Sequence, residues 1–372
     1  MIKKALLLLC ALFLQVQAEA QTLLADSILI DGSYRHYLLY VPPAYTPGTP
    51  APLVINMHGL GSNDTEQLYY SNLMPLADTA GFLIACPQGN LLFGIRYWNA
   101  GFGGTDDDVA FISNLIDSIS AAYTVDAGRV YATGMSNGGY MSYFLACHLS
   151  SRIAAVASVT GSMLPGIPDG CTPGRAVPVM QIHGTADSTV PYFGGATSIA
   201  VDTLVQFWVN NNHCNPVPVM TPVPDLIPTD GSTAEHYVYN DGDQGSSVEL
   251  YKIIGGGHTW PGSPFILGVT NQDFNASAEI WRFFSQYTLP PFLGLEPNAT
   301  ARAPLPAYPN PATEMIRIAA PMQGMATLYD ISGRILLTTT TQQLNIRLLP
   351  KGVYLLQYRS GGKMITEKVV KQ

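Results

Sequence analysis

Three short stretches of the chain carry side chains whose types and order could perform acyl transfer. The first is Gly134-Met135-Ser136-Asn137-Gly138, a G-x-S-x-G pattern between the apolar run Val130–Thr133 and a helix-like stretch opening near Asn137. A serine between small residues at a sharp strand-to-helix turn exposes its hydroxyl beside the free N–H groups of the helix start. Serine is a weak nucleophile at neutral pH without an adjacent base, so a histidine and an orienting acid must be found. On such a turn the chain order is nucleophile, acid, histidine. Of seven histidines, only His213, His236 and His258 come late enough. His258 sits in Gly255-Gly256-Gly257-His258-Thr259-Trp260, directly after the strand-like run Val248–Ile254. His213 ends an apolar helical stretch and His236 neighbours an acidic loop, which suits structural roles better. The acid is expected at Asp187, in His183-Gly184-Thr185-Ala186-Asp187, again just past a strand-like run. Its task would be to orient the imidazole and stabilise its charged form.

Two N–H donors must hold the oxyanion that forms during attack. One is expected from Asn137, the residue after the serine, and the other from Leu60 in the early loop Asn56-Met57-His58-Gly59-Leu60-Gly61. His58 precedes the serine and is read as holding that loop rather than as a base.

These residues require a sheet to place them. Short apolar runs at Leu53–Met57, Phe82–Cys86, Val130–Thr133, Ala154–Val159, Val177–Ile182 and Val248–Ile254 read as buried parallel strands. Helical patterns lie between them, one carrying Val109, Ile112, Leu115, Ile116 and Ile119, another spanning Asn275–Tyr287. The alternation predicts an α/β fold with helices on both faces of a mostly parallel sheet. Asp106, Asp107 and Asp108 stand where a helix start favours anions, so capping is preferred to metal binding.

Composition narrows the classes further. Only 12% of the 372 residues are charged and the formal net charge is −8, with no Lys/Arg cluster to bind nucleic acid. The charge is split: residues 21–303 hold 8 Lys/Arg against 22 Asp/Glu, and residues 304–372 hold 8 against 3. That reversal predicts two separately built units. Residues 1–20 read as a signal peptide: Lys3 and Lys4, an apolar stretch Ala5–Leu14, and Ala18-Glu19-Ala20 before the cut. A lipid-bearing Cys10 is the alternative, disfavoured by Leu9 where a small residue is needed. Ten apolar residues fall short of the roughly 20 that span a bilayer, and no other segment in the mature chain is long enough. Export permits disulfides, and Cys86, Cys147, Cys171 and Cys214 allow three connectivities. Cys147–Cys171 is favoured because both flank one expected strand, and Cys86 reads as a buried thiol. Residues 288–304 form a Pro/Ala/Asn-rich linker, and 305–372 carry short β-like runs separated by Gly-containing turns.

In combination, HGLGSN, Tyr97–Gly101, DDDVAF, GMSNGG, HGTADSTVPY and GGGHTWPG resemble the esterase group of polyhydroxybutyrate depolymerases and feruloyl esterases, with acetylxylan esterases of carbohydrate esterase family one nearby. The resemblance spans about 30 to 287 and implies an α/β-hydrolase with Ser136, Asp187 and His258 as its triad. It also implies that Trp98, Tyr192 and Trp260 stand near the cleft as substrate contacts, ordinary packing being the alternative. Many relatives carry a cysteine before the last strand, but residues 240–247 have none, which leaves Cys214 without that partner. From Leu305 on, YPNPA, LYDISGRIL, KGVYLLQ and KVVK resemble the C-terminal sorting domain of the type nine secretion system of Bacteroidetes. That resemblance implies secretion to the cell surface or medium. A polymer-binding module is the competing reading, but the tail has no Trp.

The sequence therefore predicts a 21–287 α/β-hydrolase esterase domain and a 305–372 β-domain. It predicts a monomer acting on polymer-linked esters, with no metal or organic cofactor needed. A serine peptidase on the same fold and a surface binding protein that has lost catalysis are the alternatives.

Overall fold

A computed structural model describes residues 21–30, 32–103, 107–289, 307–308, 310–318, 322–330, 334–360 and 363–372. The expected signal peptide, Asp106 and nearly all of the expected linker lie outside the described residues. The chain divides into two compact units, Met1–Phe292 and Leu293–Gln372.

The first unit is built on a ten-stranded sheet. It begins with β1 (Thr22–Ile30), β2 (Ser33–Val41) and β3 (Ala51–Met57), followed by α1 (Asp64–Ser71) and α2 (Met74–Ala80). Then come β4 (Leu83–Pro87), the small hairpin β5 (Asn90–Leu92) and β6 (Ile95–Tyr97), α3 (Asp108–Ala122), β7 (Val125–Met135), α4 (Asn137–His148) and β8 (Ala155–Val159). The unit continues through α5 (Ile167–Gly170), β9 (Val179–Gly184), α6 (Val201–Asn211), β10 (Val219–Pro222), β11 (Thr233–Tyr239), β12 (Val248–Ile254) and α7 (Ala276–Phe284). The strand order is β1-β2-β4-β3-β7-β8-β9-β12-β11-β10. The six central strands, β4 to β12 in that order, run parallel, and two antiparallel strands extend each edge.

Those six central strands are the six apolar runs. Each residue of β3, β4, β8 and β9 is buried, because helices cover both faces and leave no solvent side to require alternation. On one face Phe111, Ile112 and Leu115 of α3, Tyr143 and Leu145 of α4, and Leu204 and Trp208 of α6 pack on the sheet. On the other, Leu68, Ala77, Ile280, Phe283 and Phe284 from α1, α2 and α7 do so. The fold class is thus the expected one.

Helix α3 starts where the aspartates predicted. Asp107 accepts the N–H of Ala110 at 2.8 Å, and Asp108 is buried against Arg35 at 2.7 Å. Cys147 and Cys171 form a disulfide, whereas Cys86 and Cys214 are buried free thiols. Among the described residues no helix is long and apolar enough to cross a membrane.

The second unit is all β. One sheet holds β13 (Ala307–Tyr308), β14 (Met315–Ile318) and β17 (Gln343–Asn345); the other orders β16 (Ile335–Thr339), β15 (Gln323–Tyr329), β18 (Gly352–Ser360) and β19 (Lys363–Lys371). Ile316, Leu328, Ile346, Leu356 and Tyr358 form its core.

Candidate active site

Ser136 stands between the end of β7 and the start of α4, with φ 54° and ψ −118°. A non-glycine residue seldom adopts positive φ, and the strain is held because its neighbours are locked. The Ser136 N–H donates to Val159 O at 2.8 Å, and its carbonyl accepts the Tyr140 N–H at 3.0 Å. The turn also depends on glycine. A Cβ on Gly138 would lie 2.2 Å from Met57 O and 2.7 Å from His58 O, so only glycine lets α4 approach the end of β3 this closely.

Asp187 lies in the loop after β9 and His258 in the loop after β12, two strands that are parallel neighbours. The topology therefore brings together residues 71 positions apart, and His258 Nδ1 meets Asp187 Oδ2 at 2.7 Å. The other carboxylate oxygen accepts the N–H groups of Thr189 at 2.8 Å and Val190 at 2.9 Å. Burial works against the charge on Asp187, but hydrogen bonds from His183 and His258 outweigh it and hold the carboxyl well below the usual range. Asp187 is thus an anion whose free lone pairs point at an imidazole.

Leu60 and Asn137, the expected oxyanion donors, lie at the same place. Neither backbone N–H meets an acceptor among the described residues. His58 is buried between two backbone groups: its Nε2 accepts the Gly89 N–H at 2.9 Å and its Nδ1 donates to Gly59 O at 2.7 Å. Desolvation keeps the ring's affinity for a second proton below the ordinary histidine value. In a trans peptide the C=O and the next N–H point opposite ways. By holding Gly59 O, His58 turns the Leu60 N–H the other way.

Ser136, His258 and Leu60 line two cavities, one of about 630 Å³ and one of about 640 Å³. Leu60 divides them. Tyr69, Tyr70, Phe265 and Leu267 wall the first; Leu92, Phe93 and Ile95 of the β5–β6 hairpin, with Phe102 and Tyr140, wall the second. Phe93 is 96% exposed at the hairpin tip. Burial pushes the Tyr140 hydroxyl up to about 12, and the neutral phenol donates to Thr197 O at 3.0 Å.

The three aromatics expected to touch substrate are placed elsewhere, which corrects that expectation. Trp98, Tyr192 and Trp260 are 0%, 1% and 0% exposed and line neither cavity. Each instead fixes a loop. Trp98 Nε1 donates to His58 O at 2.9 Å, and its backbone N–H and C=O are clamped by the Asn137 amide at 2.6 and 3.1 Å. Tyr192 donates to Asp202 at 2.7 Å, and Trp260 Nε1 to Ser277 at 3.1 Å. The apolar walls at 92–95, 102 and 265–267 were not singled out from the sequence. Their visible signal was apolar side chains in loops bounded by Gly and Pro. His213 and His236 lie away from the site, paired with Asp243 at 2.6 Å and Glu249 at 2.8 Å.

Comparison with known proteins finds esterases. Residues 35–198 match the family described as Esterase PHB depolymerase, and residues 306–372 match the Secretion system C-terminal sorting domain. Feruloyl esterase C of Emericella nidulans is 30% identical over 235 residues, 61% of this chain and 82% of that protein. Feruloyl esterase B of Piromyces equi is 32% identical over 236 residues, 60% of this chain and 42% of that longer protein. Among solved structures, acetyl xylan esterase from Aspergillus awamori superimposes with a TM-score of 0.54 at 16% identity, covering 71% of this chain and 99% of that one, and shares the fold.

Proposed function

The chain belongs to the esterase family of the polyhydroxybutyrate depolymerases and feruloyl esterases, and on that premise we propose a serine mechanism for it on a neutral, polymer-linked ester. The carboxylic-ester hydrolase activity follows from the family, and the sorting domain at 306–372 marks the chain for Bacteroidetes-type export.

In the proposed mechanism, His258 takes the proton of Ser136 Oγ as the oxygen attacks the ester carbonyl. The N–H groups of Leu60 and Asn137 hold the resulting oxyanion, each such donor contributing about 3 kcal/mol to the transition state. His258 then protonates the leaving alcohol, and water releases the acid by the same route. The observation that carries this reading is the 2.7 Å His258–Asp187 hydrogen bond beside a serine held at φ 54°. No step calls on a metal or an organic cofactor.

Substrate class is read from the two cavities. Apolar walls on both sides of Ser136 suit an ester with apolar groups in both its acid and its alcohol part. A hydroxybutyryl polyester, or a feruloyl ester with its flat ring, fits that description better than an acetyl group. The processed protein is proposed to act as a monomer, with residues 1–20 removed, 21–287 forming the esterase domain, 288–304 the linker and 305–372 the sorting domain.

The test is ester release from methyl ferulate, acetylated xylan and short polyhydroxybutyrate, each against Ser136→Ala. The reading expects one of the first and third to be preferred, with turnover lost in the variant by about 10⁶-fold. Activity surviving in Ser136→Ala would overturn the mechanism; preference for acetylated xylan would overturn the substrate reading.

A further inference from the structure

Asp187 faces two imidazoles, not one. His258 Nδ1 lies 2.7 Å from its Oδ2, and His183 Nε2, fully buried beneath the loop, lies 3.4 Å from the same oxygen. Resting on the triad reading, we propose that Gln181 is a positioning residue that keeps His183 singly protonated, so that only His258 gains a proton during turnover.

The hydrogen-bond chain fixes the protons from both ends. A backbone carbonyl can only accept, so the Gln181 atom 2.8 Å from Gly161 O must be its NH₂ group. The amide oxygen then faces Tyr143, whose hydroxyl donates to it at 2.5 Å. The same NH₂ group stands 2.7 Å from His183 Nδ1 and must donate to it, so that ring nitrogen carries no proton. At the other end, His183 Nε2 lies 2.8 Å from Val190 O and must carry one. A second proton would set an N–H of His183 against the Gln181 NH₂ group, donor against donor, in a site where both residues are 0% exposed.

The arrangement matters because a carboxylate shared between two imidazolium ions stabilises each less. With His183 limited to one N–H, it lends Asp187 a dipole, and the full negative charge remains for His258. The device also ties the acid to the nucleophile's helix, since Tyr143 is on α4, Gln181 and His183 are on β9, and Asp187 follows β9. Other titratable groups around this pair are neutral phenols or stand farther off. Tyr192 meets the His183 ring edge-on at 5.9 Å, Lys252 lies opposite His183 on β12 with its Nζ 5.4 Å from the Tyr192 ring, and Asp202 is bound by the Tyr192 hydroxyl. Tyr140 of α4 completes the set facing Asp187.

The test uses the full chain with ¹⁵N-labelled histidine, the His183 signal being identified by its loss in His183→Gln. In the unaltered protein His183 should show one protonated nitrogen, Nε2, at neutral pH. A proton on Nδ1, or a doubly protonated ring, would overturn the proposal without bearing on the nucleophile. Gln181→Glu, which replaces the NH₂ donor by an acceptor, should give a doubly protonated His183. The acid limb of kcat/KM should then fall by about one pH unit, with kcat reduced about tenfold and KM unchanged. A doubly protonated His183 with an unmoved acid limb would also overturn it. Loss of activity in Ser136→Ala reads the triad separately.

Discussion

Replacing Gly138 by alanine should separate Ser136, the proposed nucleophile, from Leu60, one of its two proposed oxyanion donors, with a single methyl group. The added Cβ would sit 2.2 Å from Met57 O, 2.6 Å from Met57 C and 2.7 Å from His58 O, where ordinary contact begins at 3.4 Å. All three atoms are backbone at the end of β3, so no side chain can rotate aside. Relief needs a displacement of about 1 Å between α4 and the loop that bears Leu60. Overpacking of this kind costs about 1–3 kcal/mol, and backbone against backbone puts this case near 3. For a unit of this size that lowers Tm by about 6–10 °C. A 1 Å misplacement of catalytic groups costs on the order of 10²-fold in rate, which should appear in kcat more than in KM. Gly170→Ala is the control, because its Cβ would meet nothing within 4 Å and its φ is not positive. It should stay within about 0.5 kcal/mol of the parent. Thermal melts and kcat on an aryl ester, run on both variants, decide the matter. Gly138→Ala with parental Tm and kcat would refute the claim that this contact holds the site together.

Other perturbations follow from the same geometry. Replacing Cys147 and Cys171 together by serine opens a loop with sequence separation 24; it should cost about 3 kcal/mol in denaturant unfolding. Trp98→Phe strips the donor from His58 O and should lower kcat by roughly tenfold while KM for a small aryl ester holds, since the ring never reaches the cavities. Phe93→Ser should leave Tm unchanged, because the side chain is 96% exposed, yet raise KM for esters with a large group in the second cavity. Glu249 is buried, which disfavours its charge, but bonds from His236 and Arg282 overcome that and lower its affinity for protons below the usual 4.5. A lowered folded value means stability that is complete above the ordinary glutamate range and lost as pH falls. Glu249→Gln should therefore cost about 2 kcal/mol near neutrality and flatten the acid side of the stability profile.

The parts of the fold legible in the sequence were those with no solvent face. The six central strands are mostly apolar because helices cover both sides. They announce themselves as short runs rich in branched residues, with a few paired polar side chains such as Gln181 and Glu249 among them. The four outer strands β1, β2, β10 and β11 are largely exposed or half-buried, and in β10 each residue is exposed. A run such as VMTP offers no periodicity to read. Loop placement was legible where a motif carried its own geometry: the glycines around Ser136, the position of Asp187 after β9 and of His258 after β12. The three aromatics misled because a large ring in a motif says that something must be held, not what. Trp98 holds the His58 carbonyl and Trp260 holds Ser277, contacts set by residues 40 and 17 positions away. The cleft walls are built from loops far apart in the sequence: Phe93 and Phe102 meet Tyr140 in one cavity, and Phe265 and Leu267 meet Tyr69 and Tyr70 in the other.

The proposed mechanism requires Ser136 to be the nucleophile. The direct measurement is to treat the intact protein with a fluorophosphonate ester and locate the adduct by peptide mass. One adduct per chain on Ser136 is predicted, absent from Ser136→Ala and slowed by orders of magnitude in a His258→Gln variant whose melt shows it folded. An adduct on another residue, or none on a folded protein that still hydrolyses esters, would contradict it.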